Sequence, residues 1–112
     1  MAENRLKNII VGTAEVSLKG PGRQNHVGSL GITISKDYRG MGLGALLMKE
    51  IIKLAKKELR PRPKIIRLSV FQANISAIKL YEKIGFKKAA QIPKQFYYKG
   101  KFIDEMVMLL EL

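Results

Sequence analysis

The chain places a helical pattern between two β-branched runs, and that order restricts the fold more than any other feature. His26 to Ser35 (HVGSLGITIS) reads as a strand. Leu43, Leu46, Leu47, Ile51, Leu54 and Ala55 then recur at helical spacing, with Lys49, Lys53, Lys56 and Lys57 opposite. Pro61 and Pro63 end this amphipathic helix after about four turns. Ile65 to Phe71 (IIRLSVF) is a second strand. Strand, helix and strand in one sheet imply a right-handed crossover joining parallel neighbours.

The flanking segments extend this unit. Ile9 to Leu18 reads as a strand, and Lys19 to Asn25 as a turn, so Ile9 to Ser35 predicts a hairpin. After Phe71, NISAIKLYEKIGF predicts a second helix, with Asn74 as N-cap and Gly85 at its C-terminal stop. Phe86, just beyond, can pack back onto the last turn. Lys87 to Ile92 predicts a strand, PKQFYYKGK a loop with a turn at Gly100, and Phe102 to Leu110 a final strand. The expected order is β-β-α-β-α-β-β in a single domain over residues 1–112, a mixed sheet flanked by helices.

A length of 112 residues suits one modest core. The chain has no Cys, which excludes disulfides, thiolate metal sites and a Cys nucleophile. No apolar run approaches the ~18 residues of a membrane span, and MAENRLKN lacks a signal-peptide core. We therefore expect a cytoplasmic protein with no membrane partner. The net charge of +12 attracts polyanions such as nucleic acid, acidic membrane surfaces or phosphorylated cofactors. Much of it falls on Lys53, Lys56, Lys57, Arg60, Arg62, Lys64 and Arg67, opposed only by Glu58; the alternative is a solvated helix end and loop.

The stretch DYRGMGLGALLMKE, Asp37 to Glu50, carries three glycines into the mouth of the first helix. A helix N-terminus leaves unpaired N–H groups and a partial positive charge. Glycines before it let backbone approach an anion, so the stretch reads as a phosphate cradle, with Arg39 as an added cation and Lys36 beside it. The alternative is a tight strand-to-helix turn, for which one glycine would suffice. No Lys-Ser or Lys-Thr follows these glycines, which excludes a Walker loop. Gly40, Gly42 and Ala45 formally meet the dinucleotide pattern, but the next strand carries Arg67 and then Gln72 instead of the required acid.

Arg39-Gly40-Met41-Gly42-Leu43-Gly44 resembles the R/Q-x-x-G-x-G/A signature of the GNAT superfamily of N-acetyltransferases. A strand later, Asn74, Ala77, Leu80, Tyr81, Glu82, Lys83, Gly85 and Phe86 resemble that family's N-x-x-A-x-x-L-Y-x-K-x-G-F segment. The resemblance covers about residues 9 to 110. It implies an α/β fold whose central parallel strands splay apart around acetyl-CoA, and direct transfer of acetyl to a primary amine, with no metal.

Residue by residue, the resemblance implies that Ile32, Thr33 and Ile34 offer backbone to the pantetheine amides. Arg39, Gly40, Met41, Gly42, Leu43, Gly44 and Ala45 would hold the pyrophosphate. Asn74 would bond the pantetheine arm and Ala77 would leave room for the thiol end. Tyr81 would be the acid that protonates the leaving thiolate, since a phenol of pKa ~10 stays protonated at neutral pH. The alternative for Tyr81 is a core aromatic beside Ile78 and Ile84. The usual base position falls on Ser29, which is not competent; His26, Glu15, Asp104 and Glu105 are the other candidates, and an amine could also arrive neutral. Phe96, Tyr97 and Tyr98 are candidates for an acceptor wall, or for ordinary packing.

The usual GNAT domain opens with a strand and two helices, whereas Met1 to Asn8 already adjoins the hairpin. We expect a domain lacking those elements, by nature or by truncation, whose open side is covered in a homodimer. The acceptor is a small-molecule or peptide amine of unspecified kind. Two alternatives stand beside the enzyme: a GNAT-like protein that binds CoA without turnover, and a basic module that binds nucleic acid through Lys53 to Arg67.

Overall fold

The computed structural model describes residues 2–3, 12–18, 22–23, 26–34 and 42–112. Two compact units emerge, residues 1–66 with Leu112, and residues 67–111.

In the first unit the expected hairpin is present. Strand β1 (Ala2–Glu3) pairs antiparallel with β2 (Gly12–Leu18), and β2 pairs antiparallel with β3 (Val27–Ile34) from Gly12 opposite Ile34 to Leu18 opposite Gly28. Strand β1 was not anticipated; two residues are too few to carry a periodicity. Ile9 to Val11 and Ser35, at the ends of the expected strands, lie outside the described residues. Burial alternates along β3, with Gly28 and Leu30 buried and Ser29 and Gly31 exposed, so one face is covered.

Helix α1 (Leu43–Glu58) lies against these strands. Its buried stripe is Gly44, Met48, Ile51, Ile52 and Ala55. The expected apolar face is corrected here, because Leu46 and Leu54 are 57% and 40% exposed. At ~100° per residue Leu46 falls almost opposite Met48, so both cannot face the sheet. Met48 and Ile51 are fully enclosed, and burying each stabilises the unit by roughly 2 kcal/mol. Gly28 is required by crowding: a Cβ there would sit 2.8 Å from Val16 Cγ1 and 3.0 Å from Ile66 Cδ1. The helix stops before Pro61 and Pro63, which cannot continue it. Lys64 and Ile65 then donate backbone N–H groups to the His26 carbonyl, at 2.8 and 3.4 Å, where strand β4 (Ile65–Phe71) begins.

The second unit takes over along β4. Helix α2 (Ile75–Ile84) follows, then β5 (Lys87–Tyr98) and β6 (Lys101–Glu111), with β6 between β4 and β5. Val70, Ile78, Phe86, Met106, Val107 and Met108 are buried in this unit. Helix α2 ends as expected. Gly85 has φ 124°, which favours glycine, and Phe86 donates its N–H to the Tyr81 carbonyl at 3.0 Å.

The loop expected over PKQFYYKGK is instead strand as far as Tyr98. Strand β5 continues past Pro93 because a register shift between Ile92 and Phe96 takes up the proline, with Lys94 at φ 56°. Beyond the shift, Phe96, Tyr97 and Tyr98 pair with Ile103, Phe102 and Lys101. Lys99 and Gly100, both at positive φ, make the two-residue turn that suits a tight hairpin. Among the described residues no helix is long and apolar enough to cross a membrane.

Candidate active site

In the first unit, α1 opens on Gly42, which has φ 77° and ψ 3° and supplies no side-chain cap. The first turn contains no acid. A helix end of this kind presents N–H groups and a dipole that favour an anion. A Cβ at Gly42 would meet no atom within 4 Å, so the left-handed backbone, not crowding, calls for glycine here. Leu43 and Ala45 are half-buried and Gly44 is buried beneath them. Arg39, Gly40 and Met41 lie outside the described residues, as does Lys36.

Ile32, Thr33 and Ile34 already pair with Ala14, Thr13 and Gly12. In an antiparallel ladder, alternate residues turn both N–H and C=O to one neighbour. The edge this stretch can offer on its other side is therefore Thr33 alone, or Ile32 and Ile34.

In the second unit, Asn74 caps α2 as expected. Its Oδ1 accepts the Ala77 N–H at 3.2 Å and the Ser76 hydroxyl at 3.3 Å. The spacing of Asn74, Ala77 and Tyr81 carries them along one side of the helix, one turn apart. Asn74 is exposed, while Ala77 and Tyr81 are half-buried. Burial raises the Tyr81 phenol above its ordinary value, so it keeps its proton at neutral pH. Its ring stands 6.2 Å from that of Phe86, at 60°. Tyr81 thus has a packed side and an open side, which suits a proton donor.

The base candidates separate. Ser29 is exposed. His26 is half-buried, and its carbonyl tethers Lys64 and Ile65. The Glu15 side chain lies outside the described residues. Asp104 accepts hydrogen bonds from Gln91 Nε2 at 2.8 Å and Lys94 N–H at 3.1 Å. The Gln91 bond first, then the Lys94 N–H, hold its carboxyl below the usual range, which makes it a weak base and a brace for the β5 irregularity. Glu105 accepts a hydrogen bond from the Ser69 hydroxyl. These networks escaped the sequence because their partners lie far along the chain.

The three aromatics do not form one wall. Phe96 and Tyr98 pack on Phe71, with ring centroids 4.6 and 5.8 Å away. Tyr97, on the other face of the strand, meets Phe102 edge-on at 5.2 Å.

Residues 2–86 match the Acetyltransferase (GNAT) family. The chain belongs to that family. It is 30% identical over 99 residues to the L-amino acid N-acetyltransferase AaaT of Escherichia coli (strain K12), spanning 88% of this chain and 60% of that protein. It is 37% identical over 79 residues to the spermine/spermidine N(1)-acetyltransferase of Bacillus subtilis (strain 168), spanning 70% of this chain and 45% of that one. A GNAT-family acetyltransferase from Streptococcus pneumoniae superposes with a TM-score of 0.85 and 32% identity, over 96% of this chain and 62% of that one. The GNAT-like α/β fold expected from the sequence is therefore shown. The chain spans less than two thirds of the length of each of these relatives.

Proposed function

We propose that the protein is an acetyl-CoA-dependent N-acetyltransferase whose single domain comprises residues 1–112. The N-terminus of α1, which opens on Gly42 in the left-handed region with no acid in its first turn, carries this proposal. Arg39 to Ala45 hold the pyrophosphate, Thr33 alone or Ile32 and Ile34 offer backbone to pantetheine, and Asn74 and Ala77 seat its arm. A neutral amine attacks the thioester carbonyl in a ternary complex. The C–N bond forms, the C–S bond breaks, Tyr81 protonates the departing thiolate, and the amine's surplus proton leaves to solvent.

The acceptor is an amine that also carries an anionic group, such as an amino acid, in preference to a polyamine. Holding a polycation calls for clustered carboxylates. Asp104 is engaged by Gln91 and Lys94, and Glu105 by Ser69. The net charge of +12 points the same way. A homodimer that buries the exposed Leu46 and Leu54, acting in the cytoplasm, completes the proposal. Sedimentation as a monomer at micromolar concentration would remove the dimer from it.

Calorimetric titration with acetyl-CoA at low and moderate salt tests the cofactor. Saturable 1:1 binding that survives salt is expected; its absence would leave the basic surface as the guide to function. Mass spectrometry of an L-amino acid mixture and of spermidine then tests the acceptor. Acetylation of spermidine alone would overturn the anionic-acceptor assignment without touching the cofactor.

A further inference from the structure

We propose that the β5–β6 hairpin tip is a binding platform for single-stranded nucleic acid. From Lys87 to Ile103 the chain carries Lys87, Lys88, Lys94, Lys99 and Lys101 and no acid. Aromatic residues are interleaved with the last three of these lysines, which is the composition that stacking on a single strand requires. The basic run on α1 and the loop after it has no such aromatics.

The geometry exposes the aromatic faces. Tyr97 is 68% exposed and Phe102 64%. They are register partners across the hairpin and meet at 64° with centroids 5.2 Å apart. In this edge-on arrangement each ring keeps a face turned to solvent, where a base can stack. Tyr98 is different: Phe71 packs beside it, and Lys99 Nζ stands 5.3 Å from its ring centroid. Tyr98 therefore anchors Lys99 at the tip, while Tyr97 and Phe102 offer the stacking surface. The Lys99–Gly100 turn and the Asp104 brace to Gln91 and Lys94 hold the platform in shape.

Charge selects the occupant. A second copy of a chain at +12 would bring like-charged hairpins together, and lysines along an outer strand oppose such pairing. An acidic peptide would satisfy Lys94, Lys99 and Lys101 but would leave the ring faces unused. A single strand supplies phosphates for the lysines and bases for the rings. A duplex keeps its bases stacked inside and cannot use Tyr97 and Phe102.

Fluorescence anisotropy with a labelled oligothymidylate of about twelve nucleotides tests this on the full chain. Binding is expected, with a log–log salt slope of about −2 from three phosphate contacts. Tyr97→Ala combined with Phe102→Ala should weaken it at least tenfold. Tyr97→Phe, which keeps the ring, should bind as the parent does. Both residues are exposed, so unchanged thermal melting will show that the fold is intact. Absence of binding would overturn the proposal, as would equal or tighter binding of a duplex of the same length. So would equal competition by polyglutamate, or full binding by the double variant. If Lys53→Gln with Lys57→Gln removed binding while the aromatic variant kept it, charge on α1 would be responsible and the hairpin would not.

Discussion

Asn74 holds two roles that substitution can separate. Its Oδ1 accepts the Ala77 N–H at 3.2 Å and so caps α2, while its amide N–H groups are the part available to a ligand. Asn74→Ala removes both. Loss of an N-cap costs about 1 kcal/mol, which for a chain of this size lowers Tm by about 4–8 °C. Ser76 also loses its acceptor, but its hydroxyl is exposed and water replaces the bond. Asn74→Asp keeps the acceptor and adds a negative charge at the positive end of the helix, worth about 0.3–1 kcal/mol in favour of folding. Its Tm should equal the parent's or rise by a few degrees. The aspartate has no N–H to donate, however. If Asn74 donates to a pantetheine carbonyl, affinity for acetyl-CoA falls by the worth of one hydrogen bond, about 0.5–1.5 kcal/mol or roughly 2–13-fold.

Thermal melting followed by circular dichroism reads the first role, and calorimetric titration with acetyl-CoA the second. Asn74→Ala should lose stability and affinity together; Asn74→Asp should lose affinity alone. An Asn74→Asp protein that melts below Asn74→Ala would refute the cap argument. One that binds acetyl-CoA as tightly as the parent would take Asn74 out of the cofactor site.

Three further outcomes are expected. Tyr81→Phe should lower kcat about 100-fold or more while leaving acetyl-CoA affinity nearly intact, and the parent's phenol, raised by burial, should impose no loss of activity in the neutral range; unchanged kcat would dismiss Tyr81 as the acid. Gly28→Val should cost about 1–3 kcal/mol, measured as a shift in urea midpoint, because even its Cβ falls 2.8 Å from Val16 Cγ1; an unshifted midpoint would mean that the β2–β3 face is looser than its geometry. The Asp104 carboxyl titrates below the ordinary 3.8 in the folded chain, so its contribution is present above that value and is lost as pH falls through the lower folded value. Asp104→Asn should therefore flatten part of the acid limb of a urea-midpoint profile taken from pH ~6 down to pH ~2; an identical limb in both proteins would show that the Gln91 and Lys94 bonds carry no linkage.

What could be read from the sequence divides by how local its cause is. Strand β4 and helix α2 stand where IIRLSVF and NISAIKLYEKI place them, because β-branched runs, an Asx cap and a glycine stop act over a few residues. The Asn74 cap needs only Ala77, three positions on. The positive φ of Gly42 answers to the turn it makes. The errors arise where distant chain decides. Pro93 and Gly100 read as loop punctuation, yet β6 supplies a partner that holds Phe96 to Tyr98 as strand and confines the turn to Lys99 and Gly100. Leu46 and Leu54 matched a helical period but not the face that β2 and β3 cover. Asp104 stood among the base candidates because its partners, Gln91 and Lys94, lie 13 and 10 positions away. The same division explains why the Asn74 cap could be read from the sequence and a base could not. A phosphate cradle and a cap are properties of helix ends, written into adjacent residues. A general base is a carboxylate or imidazole made competent by neighbours from other elements, and no spacing along the chain records those neighbours.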